Sequence, residues 1–248
     1  RIMEAKKTRP NMRIINIDPR RTATSEFSDM HLNIAPDGDI ALFNGLLAYI
    51  ADHGAQNNVY INAYINGYAD AVASARLSNP TDTGLSPAEL EAFYTAWIDT
   101  EKVVTLYSQG VNQSSCGSDK VNAILNCHLA TGRIGKPGCG PLSATGQPNA
   151  MGGREVGGLA NMLAIHLDIE NSAHRDAVQT FWNSPTICDH QGLKAVDLFD
   201  ACARGEIKAL WVMSTNPAVS LPDANRVAEA IANVPFVAVS DIMARTDT

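Results

Sequence analysis

"RIINIDPRRT", Arg13 to Thr22, sets the fold class. Isoleucines fill its first half, and at Asp18 the run turns polar at once, with a proline and two arginines following. A short β-branched run closed by turn residues reads as a buried strand with a polar carboxyl end. Three further runs share that form: Val103–Tyr107 ("VVTLY"), Ile207–Met213 ("IKALWVM") and Phe236–Val239 ("FVAV"). Helical patterns lie between them, and strands alternating with helices predict an α/β fold. The expected architecture is a doubly wound, mainly parallel sheet with helices on both faces. It is expected as one domain over residues 1–248, with the four runs as neighbouring strands.

The helices are read from spacing and from their ends. Asp39 to His53 carries Ile40, Phe43, Leu46, Leu47 and Ile50 on one stripe, with Gly54 as the stop. Ser86-Pro87-Ala88-Glu89 is a capping box with proline at the first helical position, opening a helix through Trp97. Ser118 is expected to cap another, with Val121, Ile124, Leu125 and Leu129 inward and Gly132 at its end. Leu221 to Ala232 is the last amphipathic segment. Residues 132–153 are long for a connection, rich in Gly and Pro and low in charge, so an ordered, partly buried functional loop is expected there.

Composition narrows the function. The 248 residues are 45% hydrophobic and 18% charged, as in globular folds, and the formal charge of −7 disfavours nucleic acid as a partner. No apolar run approaches the roughly 18 residues that span a bilayer, so no membrane partner is expected. Without a signal peptide, a cytoplasmic location is expected. The chain opens on Arg1 and is already approaching a strand, which reads as the interior of a longer protein. Five cysteines, Cys116, Cys127, Cys139, Cys188 and Cys202, form no C-x-x-C pair and are expected to be reduced, mostly buried thiols.

In an open α/β sheet, ligands bind beyond the carboxyl ends of the strands. Here those ends read Asp18–Thr22 ("DPRRT"), Ser108–Gln113 ("SQGVNQ"), Ser214–Asp223 ("STNPAVSLPD") and Ser240-Asp241. Amides, carboxylates and hydroxyls at all four are an inventory for a polar, ring-bearing ligand such as a nucleotide. Asp18 and Asp241 suit ribose hydroxyls or a purine amino group, and Arg20 and Arg21 suit phosphate. Each also has a plain structural reading: Asp18-Pro19 and Asn216-Pro217 are turn starters, and two adjacent arginines are often simply solvated. Common motifs are missing: no G-x-G-x-x-G follows the first strand, and there is no P-loop, no G-x-S-x-G and no H-E-x-x-H. His128 and His166 lie in helical patterns as packed or surface residues, and the other four histidines are isolated.

Several stretches then occur in a familiar order: "INIDPRRT", "APDGDIALFNGLLAYI", "SQGVNQS", "HLATGRIGKPGCGPLSATGQPNAMGGREVG", "MSTNPAVSLPD" and "VSDIMARTDT". Together they cover nearly the whole chain and resemble the catalytic subunit of the molybdopterin oxidoreductases, nearest the assimilatory nitrate reductases. The tract Gly132–Gly157 is the most specific part. The resemblance implies a molybdenum bis(molybdopterin guanine dinucleotide) cofactor and reduction of nitrate to nitrite. It implies that 1–248 is the guanine-dinucleotide-binding part of a larger enzyme.

Carried over by motif, Asp18, Pro19, Arg20, Arg21 and Thr22, with Asp37, Gly38 and Asp39, contact one nucleotide arm. Gln109, Gly110 and Gln113 lie toward the pterin and the metal, and Asn216, Ser240 and Asp241 hold nucleotide. Gln147 and Arg154 are the candidate catalytic pair: small residues around them let backbone pack on a flat pterin, and a guanidinium fork matches planar nitrate. A structural alternative for Arg154 is a salt bridge capping the next helix. The cluster cysteines, the cysteine that ligates molybdenum and the second pterin-binding domain of the family have no counterpart here, so a 4Fe-4S centre is expected in a missing N-terminal segment and no metal ligand in this one. The remaining domains and an electron-donor protein or domain are the implied partners, and the isolated fragment is expected to be apo and inactive. Formate dehydrogenase, sulfoxide or N-oxide reductase, and a non-catalytic nucleotide-binding scaffold are the competing readings.

Overall fold

The computed structural model describes residues 1–114, 116–146 and 149–248. They gather into two compact units, Arg1–Gly146 and Gln147–Thr248. In the first, the order is α1 (Ile2–Thr8), β1 (Ile15–Ile17), β2 (Met30–Leu32), α2 (Asp39–Asp52), α3 (Asn58–Tyr64), α4 (Tyr68–Ala75), α5 (Pro87–Ile98), β3 (Val104–Tyr107), α6 (Gln109–Asn112), α7 (Gly117–Ala130) and β4 (Gly140–Ser143). In the second it is α8 (Ala150–Glu155), α9 (Ser172–Trp182), α10 (Ala195–Ala203), β5 (Ala209–Met213), α11 (Pro217–Ser220), α12 (Ala224–Ala232) and β6 (Phe236–Ser240).

The fold class is α/β, and every described strand pair is parallel. A parallel pair needs a crossover, and helices α6 and α7 supply it between β3 and β4, as α11 and α12 do between β5 and β6. The strands divide differently from the expectation of four neighbours in one sheet. β5 does pair with β6, from Ala209↔Phe236 to Met213↔Ser240. β1 instead pairs with β2, and β3 with β4 from Val104↔Gly140 to Tyr107↔Ser143. Neither partner carries a strand signal. β2 has only three residues, and β4 is "GPLS", whose glycine and proline normally mark a turn.

Burial explains the helices. In α2, Leu42, Leu46, Leu47 and Ile50 are almost wholly buried, against Phe93 and Trp97 of α5 and Ile124 and Cys127 of α7. Gly45 is required for that contact: a Cβ there would lie 2.3 Å from the hydroxyl of Tyr94, which donates to the carbonyl of Leu42. Ser86 and Glu89 form the capping box at the start of α5 as read from sequence. Two other boundaries move. α7 begins at Gly117 with Cys116 before it, so Ser118 lies inside the helix, and only residues 224–232 of the last amphipathic segment are helical. Pro222 disfavours helical geometry at the residue before it.

The second unit has its own core, with Phe199 and Cys202 of α10 and Val227, Ala230 and Ile231 of α12 packed on Leu210 and Val212 of β5. Alternation puts Trp211 and Met213 on the opposite, exposed face. All five cysteines are free, but only Cys127 and Cys202 are buried; Cys116 and Cys139 are half-buried and Cys188 is exposed.

Candidate functional site

The carboxyl ends of β1 and β2 lie side by side because the strands are parallel. After β1, Asp18 accepts the backbone N–H of Arg20 at 2.7 Å, an aspartate turn that reverses the chain. Ser25 then fixes the loop: its hydroxyl accepts from the N–H of Thr22 and donates to the side chain of Asn16 at 2.7 Å. The loop backbone is thereby occupied, while the side chains of Arg20 and Arg21 are exposed and join no ion pair among the described residues. In a chain with 26 carboxylates, two adjacent unpaired guanidiniums form a local anion-attracting spot.

After β2, Asp37 has a left-handed backbone (φ 65°) and Gly38 is buried. A Cβ on Gly38 would come within about 3 Å of Ile34 Cγ1 and of the carbonyls of Ala35 and Asp82, so the turn into α2 closes only with glycine. On either side of it, Asp37 and Asp39 share one partner that the sequence reading missed. Lys120 of α7, 2% exposed, donates to Asp37 at 2.7 Å and to Asp39 at 2.9 Å. Burial alone lowers the pKa of Lys120, but its two carboxylates outweigh that and raise it. The Lys120 hydrogen bond and charge in turn hold Asp37 below the usual carboxylate range. The missed signal lay in the spacing: Lys120, Ala123, Ile124 and Cys127 form one buried stripe of α7, where a lysine needs a counter-charge.

After β3 the chain enters α6, which carries Gln109 and Gly110; Gln113 follows it and is exposed. Ser108 donates to the carbonyl of Ala144, and Asn112 donates to the hydroxyl of Ser143 at 3.1 Å, so the ends of β3 and β4 are joined. In the second unit, Asn216 immediately precedes α11 and accepts from Thr248 Oγ1 at 2.6 Å, while its amide donates to Asp247 at 3.2 Å. Ser240 accepts from the indole N–H of Trp211 at 2.9 Å, and Asp241 accepts from the N–H of Met243. Asn216 and Asp241 follow the two strands of one parallel pair, and Ser240 is the last residue of the second. Their side chains already have protein partners.

Gln147 lies outside the described residues. Arg154 is in the last turn of α8 and exposed, with no ion pair among the described residues. Asn149, at φ 54°, caps that helix by accepting from Gly152, and a Cβ on Gly152 would meet the Asn149 side chain at 2.4 Å. The glycine is there for the cap.

Other polar groups have structural explanations. His128 is wholly buried, bonded to Thr105 at 2.8 Å, and burial lowers its pKa to about 4. His166 is exposed, as the surface reading expects, but its backbone is left-handed (φ 59°) in a single short turn rather than helical. His190 is less isolated than expected: its ring meets Asp189 at 2.7 Å, beside Cys188, in an exposed run of three consecutive residues. A cavity of about 740 Å³ opens at the amino ends of β3 and β4, lined by Gln56, Asn57, Lys102, Arg133 and Lys136. It contains none of the strand-end residues; Arg133 there donates to the carbonyls of Trp97 and Thr100 and so finishes α5. Among the described residues, no helix is long and apolar enough to cross a membrane.

In each unit polar residues lie at the carboxyl ends of parallel strands, and the family model of the molybdopterin oxidoreductases matches the chain over residues 1–248. The chain belongs to the molybdopterin oxidoreductase family. It is 48% identical over its full length to a nitrate reductase of Klebsiella oxytoca, of which it spans 28%. A nitrate reductase of Shewanella frigidimarina is 47% identical, again over the whole chain and 27% of the relative. The chain therefore spans little more than a quarter of the length of these relatives. In structure it resembles acetylene hydratase from Pelobacter acetylenicus, with a TM-score of 0.65 at 15% identity, over 96% of this chain and 36% of that one. That likeness supports the α/β fold of this molybdopterin oxidoreductase chain and nothing finer.

Proposed function

We propose that residues 1–248 are the cofactor-binding part of a molybdenum nitrate reductase, and that the cofactor is held in its bis(molybdopterin guanine dinucleotide) form. The observation carrying this reading is the pair of exposed arginines, Arg20 and Arg21, in no ion pair among the described residues, on a loop whose backbone is already fixed by Asp18 and Ser25. Such a loop can take a pyrophosphate without first breaking internal bonds, and guanidinium forks suit its oxygens. The donor set therefore fits the group.

Asp18, Pro19 and Thr22 would shape that loop, and Asp37, Gly38 and Asp39 would border the same nucleotide arm across the β1–β2 pair. Gln109, Gly110 and Gln113 would face the pterin; nothing lies within 4 Å of a Cβ built on Gly110, which leaves room for a flat ring. Asn216, Ser240 and Asp241 would hold nucleotide, each after its present partner is exchanged or shared. Gln147 and Arg154 would orient nitrate, whose planar oxyanion suits a guanidinium. When bound, the cofactor supplies the oxygen-atom and electron chemistry, and the protein supplies binding, orientation and charge. Nitrate reductase relatives at 47–48% identity support the nitrate reductase part of the reading; an assimilatory, cytoplasmic enzyme with a 4Fe-4S centre and an electron donor outside this span completes it.

The test uses the full-length enzyme with Arg20→Ala and Arg21→Ala together. Guanine nucleotide released by acid should fall with molybdenum content, while the fold measured by circular dichroism persists. Unchanged guanine and molybdenum content in the double variant would remove the arginines from the site. Native enzyme reducing a sulfoxide or oxidising formate, but not reducing nitrate, would replace the substrate assignment.

A further inference from the structure

Lys120 joins two segments that are distant in sequence. Its ammonium bonds Asp37, after β2, and Asp39, the first residue of α2. Its own helix starts hard against α6: a Cβ on Gly117 would lie 2.6 Å from the carbonyl of Asn112 and 3.1 Å from that of Val111. Ser114, between α6 and α7, adds a weaker contact from its hydroxyl to Asp37 at 3.4 Å. Asp37–Asp39 is thus tied to α7, whose start packs on the end of α6. The two segments meet at one corner.

Stability does not account for a lysine there. Around it lies an apolar core that includes Leu42, Leu46, Ile124 and Cys127. A buried ion pair in such surroundings commonly does no better than well-packed apolar side chains of similar volume. What the pair provides is a fixed geometry. Asp37 has a backbone conformation that L residues seldom adopt and a side chain 71% exposed, yet one of its oxygens is fixed on a buried ammonium. Its exposed edge is thereby held at a set position beside Gly38.

We propose that Lys120 is a positioning residue for the cofactor: it holds the segments after β2 and β3 so that they meet the bound group as one surface. This rests on the function proposed above, and it goes further by assigning a role to a residue that touches no ligand. Lys120 would act through Asp37 and Asp39.

The experiment compares native full-length enzyme with Lys120→Met, which fills the volume without charge, with Asp37→Asn, and with Lys120→Met/Asp37→Asn. Cofactor release per folded chain is followed on dilution by the fluorescence of the freed, oxidised pterin. Melting temperature is measured on the same chains produced without cofactor. Lys120→Met should release cofactor roughly tenfold faster, on the scale of one lost charged hydrogen bond. Its cofactor-free melting temperature should stay within a few degrees of native, and the double variant should release no faster than the worse single one, because the two residues act as a unit. Native release rates in Lys120→Met would overturn the proposal, as would a collapse in melting temperature with release unchanged. If the methionine variant fails to fold, Lys120→Gln, which keeps an amide donor for Asp37, carries the same measurement with the same two outcomes. Native enzyme that holds no molybdopterin would refute the parent reading instead, before any variant is compared.

Discussion

Replacing Arg154 by alanine in the full-length enzyme separates substrate orientation from loop bracing. Arg154 is exposed in the last turn of a six-residue helix, with no ion pair among the described residues. Its removal there should change stability by less than about 0.5 kcal/mol, the usual range for surface positions away from special features. Alanine is also the better helix former. The catalytic cost is of a different size. A charged hydrogen bond to a bound anion contributes about 1.5–3 kcal/mol, which corresponds to roughly ten- to more than a hundredfold in kcat/KM. Activity is measured per molybdenum, so that cofactor loading cancels. Arg154→Lys should recover only part of the loss, since an ammonium keeps the charge but loses the planar fork. Normal turnover per molybdenum in Arg154→Ala would refute the assignment, and a joint fall in stability and molybdenum content would make the residue a brace.

Two further outcomes follow from the fold of the first unit. Ser86→Ala removes the hydroxyl that accepts from the N–H of Glu89 at the start of α5, and should cost about 1 kcal/mol in urea unfolding with an unchanged m-value. His128 titrates near 4 when folded against 6.5 when unfolded, so the unfolded chain binds the extra proton between those values. Its contribution is intact above about 6.5 and lost as pH falls toward 4, on the order of 3 kcal/mol in all. A His128→Gln variant should flatten that part of the stability–pH curve, and an unaltered slope would show that another group is responsible.

Where chemistry is local, the sequence was sufficient. The box at Ser86 and Glu89 needs only four consecutive residues, and α2 announces its buried stripe by spacing alone. The polar strand ends were legible for the same reason, since each directly follows an apolar run. β4 was not, because Gly140 and Pro141 take part in a strand only by virtue of β3 alongside. Asp18 is the turn starter that its neighbour Pro19 suggests, and the chain it turns carries Arg20 and Arg21. Lys120 was hidden by its chemistry. A lysine near a helix start is ordinarily solvated, and only the two carboxylates, more than eighty positions away, draw it inside.

The parallel pairing of the strands also governs how the chain can fold. Among the described residues no two neighbouring strands are joined by a hairpin: Val104 must wait for Gly140, and Ala209 for Phe236. Helices such as α7 can form early from local contacts, but no rung of either ladder closes until the whole crossover has been made. Such topologies fold slowly, because loop closure is completed before the distant contacts reward it. During synthesis β3 therefore leaves the ribosome as an unpaired edge until β4 follows, and Val104 and Leu106 stay about half exposed even in the folded chain. Lower growth temperature and chaperone supply, rather than changes to the core, are the levers that should raise its soluble yield.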